Sequence, residues 1–238
     1  LVHEQMTLGS GQGHHWHTVA DVNRDSAAAA ELVDLLREER ENVEARMAED
    51  IAQGTGAPVG YVAAADGLQL SAESTTSAHH FANVLFNVMR GGIFADGYRV
   101  TKRDLTDFLH KRNRPVLEKH AARLAELPEH LSIKELYAWA EASGSPALIR
   151  LCYEYLPLTF SRRHGDPSRP WNQFSINLRN PDGSPRLDYQ GNWRDIFQNW
   201  EPLAYAFPGY IAGLIAKFLN ATTADGYNPY RVTRDGIE

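Results

Sequence analysis

The spacing of apolar residues constrains this chain more than any other feature. They recur three and four apart in successive stretches bounded by proline, glycine or hydroxyl residues. That period belongs to helices with one buried face, and strands would instead alternate residue by residue. The stretch SAAAAELVDLLREERENVEARMAEDIAQ, capped by Asp25 or Ser26, reads as one helix to about Gln53, and GTGAP at 54–58 ends it. A short apolar piece, VGYVAAA, follows. Residues 77–89, SAHHFANVLFNVM, are helical and apolar on most of their surface. RGGIFADGYRV is a turn with paired glycines, and Thr101 caps KRDLTDFLHKRN. Pro115 opens a helix to about Leu127; Ser132 with Glu135 makes a capping box for IKELYAWAEAS, which Gly144 stops. Pro146 starts ALIRLCYEYLPLTF, and two more helices run from Asn192 to about Phe207 and from Gly209 to Asn220. The expectation is a mainly α chain of about seven helices in successive hairpins. An irregular segment at 1–24, with TVADVN as a possible strand, precedes a helical-hairpin domain over 25–238. No internal repeat is read from the sequence. The start at Leu1 and the end at RVTRDGIE lead us to expect a fragment of a larger catalytic domain.

Charge and cysteine content narrow the function classes. A net charge of −6 and a pI near 5.9 argue against nucleic acid as a partner. No apolar run approaches the ~20 residues of a membrane-spanning helix, and no signal peptide is visible. The single cysteine, Cys152 in LIRLCYEYL, reads as a buried small apolar residue. One cysteine also fits a reducing, cytoplasmic compartment. His14, His15 and His17 offer no ligand pair at helical spacing, so no metal is expected. His79 and His80 read as core or rim histidines, and Arg90 in RGGIF stands at a turn or a pocket edge. No phosphate-binding glycine loop, nucleophile elbow or zinc-protease motif is present.

Two stretches carry unusual chemistry. In YQGNWRDIFQNWE at 189–201, a cap at Asn192 puts Asp195 where its carboxylate could close a capping box. Arg194, Gln198 and Glu201 then share one helix face, with Asp195 and Asn199 stacked beside them. Trp193, Ile196, Trp200 and Leu203 run down the adjacent side. Hydroxyl-binding side chains bordered by tryptophans suit a sugar pocket, with Trp193, Arg194, Asp195, Gln198 and Asn199 as its substrate-binding residues. The other reading is an ion-pair network that braces a helix end. The long polar loop at 161–190 begins with SRRHGDPSRPWN, where Arg162, Arg163, His164 and Arg169 could hold a phosphate or carboxylate. A solvated basic loop paired to acidic neighbours is the alternative.

The run WRDIFQN resembles the Arg-Asp-x-x-Gln-Asp motif of the cellobiose phosphorylase-like carbohydrate enzymes. More loosely it resembles the aromatic-Arg-Asp motif of glucoamylase-like hydrolases. The resemblance implies a double ring of six helical hairpins, an (α/α) barrel, incomplete in this chain. It gives Arg194 and Asp195, with Gln198 alongside, the role of gripping the sugar beside the scissile bond. Asn199 stands where the phosphorylase motif has Asp. The general acid of those phosphorylases follows well after this motif, which places it beyond Glu238; Asp225 in TTADGYNPY is the best carboxylate left, with a rim role expected. The function implied is an inverting glycoside phosphorylase or hydrolase acting on an oligosaccharide or glycoside. An acid protonates the leaving oxygen while phosphate or activated water attacks the opposite face. The basic cluster favours inorganic phosphate as co-substrate, and no other cofactor is expected. From a different class comes a non-catalytic helical carbohydrate-binding or scaffold domain, with the Trp-Arg-Asp helix as a brace.

Overall fold

The computed structural model describes residues 3, 5–20, 25–38, 40–65, 68–159, 180 and 184–237. The basic cluster Arg162, Arg163, His164 and Arg169 lies outside the described residues. The chain divides into two compact units, Leu1–Gly54 and Thr55–Glu238.

In the first unit, residues 5–20 form no helix or strand. Helix α1 (Ser26–Glu38) begins after Asp25, whose carboxylate accepts the Ala28 N–H at 2.9 Å. That is the expected cap. Helix α2 (Arg40–Ala65) starts in this unit and corrects the expected stop at 54–58, because it runs on through GTGAP with Pro58 inside it. Proline removes one helical hydrogen bond there. Val62 and Ala65, both buried, offset that loss, and Ala65 joins the second unit's core.

The second unit is mainly α, as the periodicity requires. It continues with α3 (Ser74–Gly91), β1 (Ile93–Phe94), β2 (Arg99–Thr101), α4 (Lys102–Arg112), α5 (Arg114–Lys119) and α6 (Ala121–Ala125). Next come β3 (His130–Ser132), α7 (Ile133–Glu141), α8 (Pro146–Glu154), β4 (Leu158–Thr159), β5 (Gln190–Asn192) and α9 (Trp193–Ala206). A 3₁₀ turn at Pro208–Tyr210, α10 (Ile211–Ala221) and β6 (Arg231–Thr233) complete it. The single helix expected from Pro115 to Leu127 divides at His120, which is buried and leaves helical geometry. The local capping signals hold: the Thr101 hydroxyl accepts from the Asp104 N–H at 3.3 Å. Ser132 and Glu135 close their box, with bonds of 2.6 Å and 3.2 Å. Leu105, Phe108, Leu109, Ile133, Leu136, Leu148, Leu151 and Tyr155 build the core, together with Phe94 stacked on Tyr210 at 3.6 Å between centroids. Cys152 is buried among them, and burial pushes its thiol up to about 12. Among the described residues, no helix is long and apolar enough to cross a membrane.

The strands reveal a repeat that overturns the expectation of none. ADGYRVT at 95–101 recurs as ADGYNPYRVT at 224–233. In both copies the turn glycine has positive φ, 55° at Gly97 and 84° at Gly226. Both donate to the residue three back, Gly97 to Phe94 and Gly226 to Thr223. Each Arg-Val-Thr strand pairs antiparallel with a three-residue strand that leads into a helix. Arg99, Val100 and Thr101 face Ser132, Leu131 and His130; Arg231, Val232 and Thr233 face Asn192, Gly191 and Gln190. In each case the arginine sits opposite the helix cap residue. The first helical N–H then donates to the tyrosine carbonyl before the strand, Ile133 to Tyr98 at 2.8 Å and Trp193 to Tyr230 at 2.9 Å. Thr233 also copies Thr101, accepting the N–H three residues on, from Gly236 at 2.9 Å. The copies run in opposite order: β2 precedes its helix partner, whereas β6 follows its own.

Candidate functional site

Where the two strand copies end, a polar cleft of about 880 Å³ opens. Thr101, Arg103, Asp104, Asp107, His110 and Lys111 form one wall. Thr233, Arg234 and Asp235 face it, and Arg186, Leu187, Asp188 and Gln190 close the side. The α4 residues reach it because Leu105, Phe108 and Leu109 bury the opposite face of the helix. Arg103, Asp107 and His110, spaced four and three apart, then fall in one row along the cleft.

The floor is a charge network. Arg234 donates to both oxygens of Asp104, at 2.6 Å and 2.7 Å, and to the Leu187 carbonyl at 3.0 Å. The Tyr155 hydroxyl donates to the same carboxylate at 2.6 Å. Burial first, and the Asp104 charge second, hold the Tyr155 hydroxyl well above its usual range. Asp104 is therefore a tie between the two copies rather than a free group. Nearer solvent, Lys111 meets Asp235 at 3.4 Å and Arg186 meets Asp188 at 3.4 Å. The side chains of Arg103, Asp107 and His110 carry no hydrogen bond or ion pair among the described residues, so the α4 row is the part of the cleft that a ligand can engage.

Behind the cleft lies a second set of buried charges. Glu154 binds Arg112 at 3.1 Å and Arg150 at 3.6 Å. Lys217 of α10 is 2% exposed, its Nζ has no hydrogen-bond partner, and it rests 5.4 Å from the centre of the Tyr189 ring. Burial, then the Arg112 charge, lower its pKa to about 7 against the pull of Glu154 and Asp235.

The sequence-predicted grip residues lie elsewhere, on α9. Arg194 is 75% exposed at its side chain and approaches Asp195 at 3.4 Å. Asn192 is the N-cap residue but makes no side-chain capping bond, so the capping box considered for Asp195 does not form. The Tyr230 carbonyl takes the Trp193 N–H instead. Gln198 is exposed, and Asn199 accepts a bond from Arg90 Nε at 3.1 Å. The tryptophans face inward. Trp200 is buried with Tyr189 and Phe218 at 5.0 Å and 5.5 Å between ring centres, and Trp193 meets Phe218 edge-on at 5.1 Å. Neither cavity lining includes Arg194, Asp195, Gln198 or Asn199. From the polar face of α9, Glu201 stands on the rim of an apolar pocket of about 310 Å³ beside Tyr205 and Phe207. Asp225 is exposed in the second copy's turn, at the place Asp96 holds in the first. The residues missed in sequence were Arg103, Asp107, His110, Asp188 and Asp235; the repeated Tyr-Arg-Val-Thr before both Arg-Asp pairs was the signal that could have found Arg103 and Asp235.

No curated protein matches the chain. Residues 94–157 match the family model described as glycoside hydrolase family 149 insertion domain 1. The matched stretch begins at Phe94, ahead of the first strand copy, and contains all of α4. In that segment, which builds one wall of the cleft, the chain is similar to an insertion domain of a glycoside hydrolase family.

Proposed function

We propose that this chain holds saccharide for a protein that acts on glycosidic bonds, and that the cleft along α4 is where the sugar lies. The observation that carries the reading is the overlap between the glycoside hydrolase match and the cleft: Arg103, Asp107 and His110 all fall within residues 94–157. A carboxylate, a guanidinium and an imidazole in one row suit sugar hydroxyls, which donate and accept at once. Asp104, Asp188 and Asp235 are each engaged by a cation, which supports holding rather than proton transfer as the role of the cleft. Titration calorimetry with glucose oligosaccharides tests this. Asp107→Asn should weaken binding about tenfold, the value of one charged hydrogen bond. Unchanged affinity in Asp107→Asn would remove the cleft from the reading, and no saccharide binding at all would remove the reading itself.

A second reading, carried by the WRDIFQN run, is an inverting glycoside phosphorylase on a six-hairpin barrel, in which Arg194, Asp195 and Gln198, outside the α4 cleft, grip the sugar beside the bond. Arg162, Arg163, His164 and Arg169 favour phosphate as the attacking group. Turnover of a glycoside with and without inorganic phosphate separates the two routes. Sugar release that does not depend on phosphate makes the protein a hydrolase.

A further inference from the structure

Each cleft wall starts where one copy of the Arg-Val-Thr strand ends, at Thr101 and at Thr233. Resting on the reading above, we propose that the cleft binds two adjacent residues of one saccharide, one against each copy. The two strand pairs share their register, a positive-φ turn glycine and a threonine that accepts the N–H three residues on, and both open their trailing residues onto the same cavity. The Arg234–Asp104 pair fixes one to the other at 2.6 Å, so the spacing between walls is set before any ligand arrives. On the first wall, Arg103, Asp107 and His110 face the cleft without partners. On the second, Gln190 pairs in register with Thr233, and the Asp235 carboxylate meets Lys111 with about half of each side chain exposed (54% and 53%), while the Asp235 carbonyl accepts from Arg112 Nη1 at 2.9 Å. The first wall thus offers the Asp107 carboxylate between Arg103 and His110, and the second the Asp235 carboxylate. Two adjacent sugar residues can therefore each meet a carboxylate, Asp107 on the first wall and Asp235 on the second.

The test is affinity against chain length, with the full chain titrated by glucose, by a panel of glucose disaccharides covering the common linkages, and by the trisaccharide of the best linkage. The best disaccharide should bind about tenfold tighter than glucose, and the trisaccharide less than about threefold tighter again. Asp235→Asn and Arg103→Ala should each bring disaccharide affinity down toward that of glucose. Glucose binding as tightly as every disaccharide overturns the two-residue inference while leaving the cleft a saccharide site. So does affinity that climbs by another tenfold at the trisaccharide. If none of these sugars binds, the failure belongs to the functional reading on which the inference stands.

Discussion

Lys217→Met should make this protein more stable, and by an amount that depends on pH. Lys217 is 2% exposed with no hydrogen-bond partner, and its pKa falls from 10.5 in the unfolded chain to about 7. Between those values the unfolded chain binds the extra proton, so stability rises with pH across that window. The destabilisation is greatest below about pH 7, where the ammonium is buried charged, and vanishes above about pH 10.5, where it is neutral in both states. At about 1.4 kcal/mol per pKa unit, the cost near pH 7 is about 4 kcal/mol, and near pH 9 about 2 kcal/mol. Methionine keeps the length and flexibility of the side chain without the charge. It forfeits only the contact with the Tyr189 ring, worth up to about 2 kcal/mol for a desolvated cation. Urea unfolding at several pH values from neutral to mildly alkaline measures this. Wild type should gain stability with pH relative to Lys217→Met, the two converging at the alkaline end. Parallel pH dependence for the two proteins would refute the reasoning, because it would mean that Lys217 keeps its proton when folded.

Arg234→Ala should cost about 3–5 kcal/mol, because it leaves the Asp104 carboxylate half-buried beside Tyr155 without its cation. A drop of less than about 1 kcal/mol in urea unfolding would place the pair among ordinary surface contacts. Gly91→Ala should destabilise by about 1–3 kcal/mol, since a β-carbon there runs into the Asn199 carbonyl and pushes α3 off α9. Gly60→Ala is its control: nothing stands within 4 Å, so thermal unfolding should show no loss and a gain of up to about 1 kcal/mol.

Local signals were legible because local bonds satisfy them. Thr101 and the Ser132–Glu135 box act within four residues of themselves, and tertiary packing does not contradict them. The end of α2 was not legible, because GTGAP is a breaker on its own and only the burial of Val62 and Ala65 carries the helix past it. On α9 the two faces were readable from period alone, but their destinations were not. Tryptophans beside a polar row fit a pocket wall and a core wedge equally well, and only the positions of Tyr189 and Phe218 show that Trp200 is a wedge. The repeat hid for a different reason. The second copy carries extra residues between its ADGY and its Arg-Val-Thr, and the copies meet their partner strands in opposite chain order.

That reversal explains how one motif gives two different wall chemistries. After Thr101 the chain enters α4, so Asp104 becomes a third helical residue with its N–H bound by the threonine. Its carboxylate is then fixed in direction, toward Tyr155 and the second copy. After Thr233 the threonine oxygen accepts the Gly236 N–H in a turn, and the described residues 234–237 are not helical. Arg234 is thereby released to reach back across to Asp104, while Asp235 points toward solvent and Lys111. Past Asp104, the helix in the first copy extends the row to Asp107 and His110, which the second copy cannot reproduce. The first wall is consequently long and offers unpaired groups, whereas the second is short and anchors the floor. A saccharide lying in this cleft should draw more of its binding from the α4 row than from the Asp235 side, so Arg103→Ala should weaken a disaccharide more than Asp235→Asn does. Equal losses from the two substitutions, measured by calorimetry on the same sugar, would show that the walls contribute alike despite their different lengths.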